Sequence, residues 1–281
     1  DDNDKENIMS DDKAVTLTVL SKTVWSPNLF SFTTTRPKGF RFEAGQFVRL
    51  GLCADELIYY QDKHQDTPKS ESVSPIFRAY SVVSSPYDET LEFFSVVVAD
   101  GEFTSQLQYL QAGDQLYLNT IPFGFLTLSR YQEPTPKTLW LLATGTGLAP
   151  FLSILQDLYA WEHYDNIVLV YSARTQSELA YQDKIHSLAT SFGGLVDNPA
   201  RFYYVPIVTR EKVAGCLSER IPSLINNGEL AKTAGVALDT QSHVMLCGNP
   251  QMVEDTKEAL KAQGLSMNRR GVGHIAVENY W

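Results

Sequence analysis

Two side chains that suit a nucleotide cofactor stand close together in the first half of the chain. In the stretch Arg78-Ala79-Tyr80-Ser81, strand alternation places Arg78 and Tyr80 on one face and Ser81 on the other. An arginine beside an aromatic ring suits a phosphate group and a flat heterocycle. From spacing alone, a strand with one exposed arginine and one packed tyrosine is the commoner interpretation.

Two turns could offer backbone N–H groups to an anion. Residues 100–105 read Asp-Gly-Glu-Phe-Thr-Ser, follow a predicted strand and open a short helix. Such a turn can hold a pyrophosphate or simply cap the helix. Residues 143–150 read Ala-Thr-Gly-Thr-Gly-Leu-Ala-Pro and connect a predicted strand to a helix. Ligands bind at such strand ends in open α/β sheets. The spacing of the glycines matches neither GxGxxG nor a P-loop. A strand–turn–helix connection that binds no ligand is therefore an equal alternative.

Three arginines follow predicted strands in the second half of the chain. Arg174 and Arg210 end successive strands, and Arg220 comes shortly afterwards. Because the carboxyl ends of parallel strands share one edge, Arg174 and Arg210 are expected at the ligand-binding edge. Arginine suits phosphate there, whereas most surface arginines are only solvated.

Cys247 ends another predicted strand, directly before Gly248. It is predicted to lie at the same edge, although a lone cysteine is more often a small buried hydrophobe. The sequence then runs to Tyr280 and Trp281. Because chain ends normally fray, two adjacent rings are expected to be docked, either on a flat cofactor or on the domain surface.

Residues 14–130 carry the pattern of an antiparallel β-barrel. Short stretches of β-branched and apolar residues recur between glycines and prolines. A short helix is predicted from Thr104 to Leu110. The polar stretch 53–75 is predicted to be a surface loop insertion, and the acidic residues 1–13 a disordered tail.

Residues 131–137 are predicted to be a linker, and residues 138–281 an α/β domain. Wholly apolar strands alternate there with helical patterns, which is typical of a parallel, Rossmann-like sheet covered on both faces. Strands are predicted at 138–143, 167–171, 202–208 and 243–247, and helices at 149–161, 178–188 and 251–263.

The composition disfavours several classes of protein. The 281 residues are 43% hydrophobic, which is enough for two cores, and the net charge of -10 argues against nucleic-acid binding. The sequence contains no run of about 18 apolar residues, so no membrane span is predicted. The three cysteines, Cys53, Cys216 and Cys247, form no CxxC pair, so no metal site is expected. Free thiols without an export signal indicate the cytoplasm.

Four segments, taken in this order, resemble the ferredoxin/flavodoxin–NADP⁺ reductase family, most closely its bacterial branch with a C-terminal Tyr-Trp. They are Arg78-Ala-Tyr-Ser, Ala143-Thr-Gly-Thr-Gly, Cys247-Gly-Asn-Pro-Gln-Met and Glu278-Asn-Tyr-Trp, and the resemblance covers residues 15–281. It implies a flavodoxin-reductase-type barrel that binds FAD and an α/β domain that binds NADPH. Hydride would pass to FAD, and single electrons would pass to ferredoxin or flavodoxin. The family tends to monomers.

The resemblance also implies roles for residues around FAD. Arg78 would pair with the pyrophosphate, Tyr80 would stack on one face of the isoalloxazine, and Ser81 would lie near N5. Tyr280 would shield the other face, and Trp281 would stack on the adenine. Further FAD contacts are expected from Ala79, Phe94, Ser95, Val96, Glu102, Phe103, Thr104 and Thr146.

For NADPH, the resemblance implies that the glycine-rich turn at residues 144–147 binds the pyrophosphate. It also implies that Arg174, Arg210 and Arg220 bind the phosphates of the coenzyme. An arginine pair at the adenosine 2′-phosphate favours NADPH over NADH. Cys247 would approach the nicotinamide, and Ser81, Cys247, Glu278 and Tyr280 are the expected catalytic set. The expected NADPH residues are Thr144, Gly145, Gly147, Arg174, Arg210, Arg220, Cys247 and Gly248.

Two alternatives remain open at this point. One is an NAD(P)H–flavin or oxygenase reductase on the same fold, and the other is a flavin-binding module without turnover. An acidic protein also fits poorly with an acidic electron carrier. A local group of basic side chains could still bind an acidic carrier. The candidates for this group are Arg36, Lys38, Arg41, Arg269 and Arg270. The alternative is that these residues are scattered, solvated charges.

Overall fold

The structure is a computed structural model that describes residues 14–59 and 74–280. The predicted tail at 1–13, most of the predicted insertion at 53–75, and Trp281 lie outside the described residues. The chain divides into two compact units, of which the first ends at Phe123 and the second begins at Gly124.

This division precedes the stretch 131–137 that was predicted to be the linker. Residues just before and within that stretch are hydrogen-bonded inside the second unit. Arg130 Nε donates to Asn268 Oδ1 at 3.2 Å, and the Tyr131 hydroxyl donates to the His274 carbonyl oxygen at 3.0 Å. These residues therefore belong to the second unit.

Within its described residues, the first unit holds a six-stranded antiparallel sheet in the order β4-β3-β6-β1-β2-β5. One short helix, α1, precedes β6. It ends at Leu107, earlier than the predicted Leu110. The elements are β1 (Ala14–Ser26), β2 (Leu29–Thr35), β3 (Phe47–Leu52), β4 (Ile76–Ser81), β5 (Thr90–Val96), α1 (Thr104–Leu107) and β6 (Gln115–Phe123).

The sheet of the first unit curls until its two edge strands approach each other. Val83, just after β4, donates its backbone N–H to the carbonyl oxygen of Glu92 in β5 at 2.9 Å. Inside, alternate apolar side chains of all six strands form one core, which includes Leu17, Phe32 and Leu50. The antiparallel barrel predicted from the sequence is confirmed.

The described part of the second unit contains a five-stranded parallel sheet in the order β11-β10-β7-β8-β9. The strands are β7 (Thr138–Thr144), β8 (Asn166–Ala173), β9 (Arg201–Val208), β10 (Ser242–Gly248) and β11 (Ile275–Asn279). The helices are α2 (Ala149–Leu155), α3 (Leu158–His163), α4 (Gln182–Ser191), α5 (Ile221–Asn226), α6 (Glu229–Ala234) and α7 (Pro250–Ala262). The predicted parallel α/β architecture is confirmed.

The helices of the second unit differ from the prediction in three places. The helix predicted at 149–161 is two helices, because Trp161 is fully buried and its indole N–H donates to the Leu155 carbonyl oxygen at 3.0 Å, across the break. The helix predicted at 178–188 begins at Gln182. Two short helices, α5 and α6, were not predicted; with α7 they cover one face of the sheet, where Trp140 and Leu246 are buried.

Candidate functional site

In the first unit, the predicted cofactor segment forms the end of β4. In the register with β3, Arg78 lies opposite Leu50 and Ala79 lies opposite Arg49. Arg78 and Ala79 are exposed, Tyr80 is half-buried and Ser81 is buried. The segment therefore offers a cation and part of an aromatic ring to a ligand.

Tyr80 is held in a fixed position from several sides. Its hydroxyl and that of Ser95 are 2.9 Å apart and hydrogen-bonded, and its ring packs on Phe103 with the centroids 5.7 Å apart. Burial of the phenol raises the pKa of Tyr80 to about 12, so the group is neutral at physiological pH. A rigid, uncharged ring is suited to stacking on a flat heterocycle.

The turn after β5 approaches Arg78 through Glu102. Arg78 Nη2 and a Glu102 carboxylate oxygen are 3.6 Å apart, and both side chains are about half exposed or more, at 49% and 69%. Phe103 is buried, and the Thr104 hydroxyl accepts the Val98 N–H at 2.9 Å. Glu102 is therefore an exposed side chain of this turn, while Phe103 packs in the interior.

In β5, Phe94 and Ser95 are buried and Val96 is half-buried. Among the described residues, Nε of Arg49, opposite Ala79, is buried and has no hydrogen-bond partner. An anionic ligand could satisfy such a donor. The residues present at this strand therefore fit a phosphate-bearing aromatic cofactor.

In the second unit, the glycine-rich turn packs directly on the turn after Cys247. A Cβ on Gly147 would lie 2.2 Å from the Cys247 carbonyl oxygen, and one on Gly248 would lie 2.1 Å from Thr144 Oγ1. Thr144 Oγ1 also accepts the Asn249 N–H at 3.1 Å. Only glycines allow the two turns to come this close.

Gly145 is the exposed point of the glycine-rich turn. It has a left-handed φ of +55°, and apart from the adjacent residues no described heavy atom lies within 4 Å of the position that its Cβ would take. Thr146 beside it is half-buried. A turn with open space above a bare Cα suits close approach by a pyrophosphate, so the residues here fit a dinucleotide.

Cys247, Glu278 and Tyr280 meet beside this turn. Cys247 and Glu278 are partners in the β10–β11 register, and the Tyr280 N–H donates to the Gly248 carbonyl oxygen at 2.6 Å. Burial raises the pKa of the Cys247 thiol, Glu278 raises it further, and a hydrogen bond with Tyr280 opposes them. The thiol is therefore neutral, and any role it has uses its S–H group or its shape rather than a thiolate.

The three predicted arginines are all exposed, but their partners differ. The Arg174 guanidinium forms two hydrogen bonds of 3.3 Å with Glu178, while its carbonyl oxygen accepts the Arg210 N–H at 2.9 Å. Arg220 pairs with Asp255 at 3.4 Å. Arg174 and Arg210 thus lie side by side at the carboxyl edge of the sheet.

A family model described as an oxidoreductase NAD-binding domain matches residues 141–258. The ferredoxin–NADP reductase of Pseudomonas aeruginosa is 40% identical over 258 residues, which are 90% of this chain and 91% of the relative. The flavodoxin/ferredoxin–NADP reductase of Escherichia coli K12 is 39% identical, over 92% of this chain and 94% of the relative. The chain belongs to the ferredoxin/flavodoxin–NADP reductase family.

Solved structures of ferredoxin–NADP reductases share this fold. A ferredoxin NADP⁺ reductase from Neisseria gonorrhoeae with bound FAD and NADP aligns with a TM-score of 0.82 and 34% identity, over 95% of this chain and 98% of that one. The resemblance and the fold class inferred from the sequence are confirmed.

Some residues of this reductase site were not found from the sequence. Asn249 caps the N-terminus of α7, where its side-chain oxygen accepts the Gln251 and Met252 N–H groups. The pairing of Glu178 with Arg174 could have been predicted, because the two residues are four positions apart. The pairing of Asp255 in α7 with Arg220, directly before α5, leaves no signal in the sequence.

The described residues offer neither a metal site nor a membrane-spanning helix. In this part of the chain, no three His, Cys, Asp or Glu side chains are grouped so as to hold a metal ion. Likewise, no described helix has the length and apolar character needed to cross a membrane.

Proposed function

We propose that this family member is an FAD-containing reductase that takes hydride from NADPH and passes single electrons to ferredoxin or flavodoxin. The proposal rests above all on one juxtaposition: the glycine-rich turn, the Cys247 turn and Tyr280 meet at the carboxyl edge of one parallel sheet. The names of the Pseudomonas and Escherichia relatives, and the FAD and NADP in the Neisseria structure, support it.

The first unit is proposed to bind FAD, which supplies hydride acceptance and release of single electrons. Arg78 binds the pyrophosphate, Tyr80 holds one face of the ring system, and Ser81 lies at its reactive edge. Most of the remaining predicted contacts with FAD are proposed to come from β5 and from the turn at residues 100–105. The boundary expected from the sequence, residues 14–130, extends past the end of this unit at Phe123.

The second unit, from 138 onward, is proposed to bind NADPH. Thr144, Gly145 and Gly147 receive the pyrophosphate, for which Gly145 leaves open space. Arg210 and Arg220 bind the 2′-phosphate, and Arg174 binds either that group or the pyrophosphate.

Four residues are proposed to act at the reacting groups. Cys247 and Glu278 border the nicotinamide, Ser81 borders the flavin, and Tyr280 covers the flavin until NADPH takes its place. The neutral thiol of Cys247 contributes no charge to this exchange. The stacking of Trp281 on the adenine stays a prediction, as does the contact from Thr146.

The carrier is proposed to dock on local basic groups. Arg36 is unsuited, because its guanidinium already donates to the carbonyl oxygens of Phe40, Pro86 and Asp88 at distances of 2.7–3.2 Å. Exposed side chains remain at Lys38, Arg41, Arg269 and Arg270. A monomeric state and a cytoplasmic location are further predictions, the latter from the three free thiols.

Three measurements test the proposal. The purified protein should be yellow, and the cofactor released from it should be FAD rather than FMN. NADPH added without oxygen should bleach the flavin absorbance, whereas a non-turnover module would stay yellow. The reduced protein should then reduce a ferredoxin or flavodoxin much faster than free FMN or riboflavin; the reverse order would favour the flavin-reductase alternative.

A further inference from the structure

Arg220 is held by a carboxylate from a different helix. It stands directly before α5, and its Nη2 lies 3.4 Å from Oδ2 of Asp255 in α7. The other oxygen of Asp255 accepts the Gln251 side-chain N–H at 2.8 Å. The carboxylate is therefore fixed on one side by its own helix and restrains the guanidinium on the other.

Most of the Arg220 guanidinium stays available to a ligand. The described contacts use one of its five N–H donors, and the side chain is 58% exposed. It borders an open cavity of about 430 Å³, whose polar walls also include Ser223, Asn226, Asp255 and Glu258. An arginine that is restrained at one edge can still present the other edge to a phosphate.

The restraint distinguishes Arg220 from Arg210. In the described residues, no side-chain hydrogen bond or ion pair restrains the Arg210 guanidinium, which must lose its rotamer freedom when it binds a phosphate. Arg220 has already lost part of that freedom through Asp255. Preorganisation of this kind strengthens binding because less entropy is lost on association.

We infer that Asp255 is a positioning residue for the coenzyme: it orients Arg220 toward the adenosine 2′-phosphate and so contributes to the preference for NADPH over NADH. This inference rests on the proposed function, which assigns the 2′-phosphate to Arg210 and Arg220. Asp255 is not among the residues proposed to act at the reacting groups, so its effect should fall on coenzyme affinity and not on the hydride step.

Asp255→Ala tests the inference by binding as well as by turnover. The Kd of 2′,5′-ADP, which carries the 2′-phosphate but no nicotinamide, should rise about three- to tenfold in calorimetry, since one long side chain becomes unrestrained. The KM for NADPH should rise by a similar factor. The Kd of 5′-AMP, the KM for NADH and kcat should stay near the wild-type values.

Glu254→Ala is the matched control, because it removes the same charge from the next position of α7 and breaks only the contact with Lys257 at 2.6 Å. Asp255→Glu should restore most of the affinity. In an Arg220→Ala background, removal of Asp255 should have no further effect.

Three results would overturn the inference. These are tighter binding of 2′,5′-ADP by Asp255→Ala, an equal loss with NADPH and NADH, or an undiminished effect in the Arg220→Ala background. A wild-type protein that shows no preference for NADPH would instead refute the proposed function itself.

Discussion

Gly147 is the position where a single methyl group should separate the two turns of the NADPH site. An alanine Cβ there would lie 2.2 Å from the Cys247 carbonyl oxygen and 2.8 Å from the Gly248 nitrogen. Uncrowded contact needs about 3.5 Å, so the turns would have to move apart by roughly 1 Å. Both partners are backbone atoms at the ends of paired central strands, which cannot rotate away.

Overpacking of this kind costs about 1–3 kcal/mol. For a domain of this size, each kcal/mol lowers Tm by about 2–4 °C, so Gly147→Ala should melt roughly 2–12 °C below wild type. Because the same turn is proposed to hold the pyrophosphate, the KM for NADPH should rise about tenfold or more. FAD content should not change.

Calorimetry, flavin absorbance and steady-state kinetics with ferricyanide would measure these effects. Gly194→Ala is the control, since nothing lies within 4 Å of its Cβ position. Gly145→Ala, with φ +55° and open space, should lose stability only through backbone strain of about 1–2 kcal/mol, and its Cβ should weaken NADPH by entering the space proposed for the pyrophosphate. The reasoning fails if Gly147→Ala has the same Tm as Gly194→Ala and keeps the wild-type KM for NADPH.

Three further outcomes are expected. Tyr80→Phe removes the 2.9 Å hydrogen bond to Ser95 and should weaken FAD about two- to tenfold by fluorescence titration; an unchanged Kd would mean that the ring suffices. Arg210→Ala should weaken NADPH roughly 10- to 100-fold in kcat/KM and leave NADH nearly unaffected; equal losses would assign Arg210 to the pyrophosphate. Burial lowers the pKa of His243 from 6.5 to about 4. Between these pH values the unfolded chain binds the proton more readily than the folded protein. About 3 kcal/mol of folding free energy should therefore be lost as the pH falls from 6.5 to 4. His243→Gln should flatten that dependence in urea unfolding, and an unchanged slope would contradict it.

The class of each unit and the kind of chemistry could be inferred from the amino-acid sequence. Wholly apolar strands such as 138–143 cannot face water on either side, so they required a sheet covered on both faces. Alternating strands with Gly and Pro between them indicated the antiparallel barrel. Short motifs such as Arg78-Ala-Tyr-Ser were recognisable because each lies within one local element.

Contacts between segments far apart in the chain could not be inferred in this way. Gly147 meets Cys247 because β7 and β10 are neighbours in the sheet, and strand order is not encoded in any local pattern. Arg220 meets Asp255 because α5 and α7 cover the same face. The break at Leu155 depends on burial of Trp161, which helix periodicity cannot register. Local propensity and hydrophobic pattern specify elements, whereas a site assembled across elements depends on packing between residues far apart in the chain.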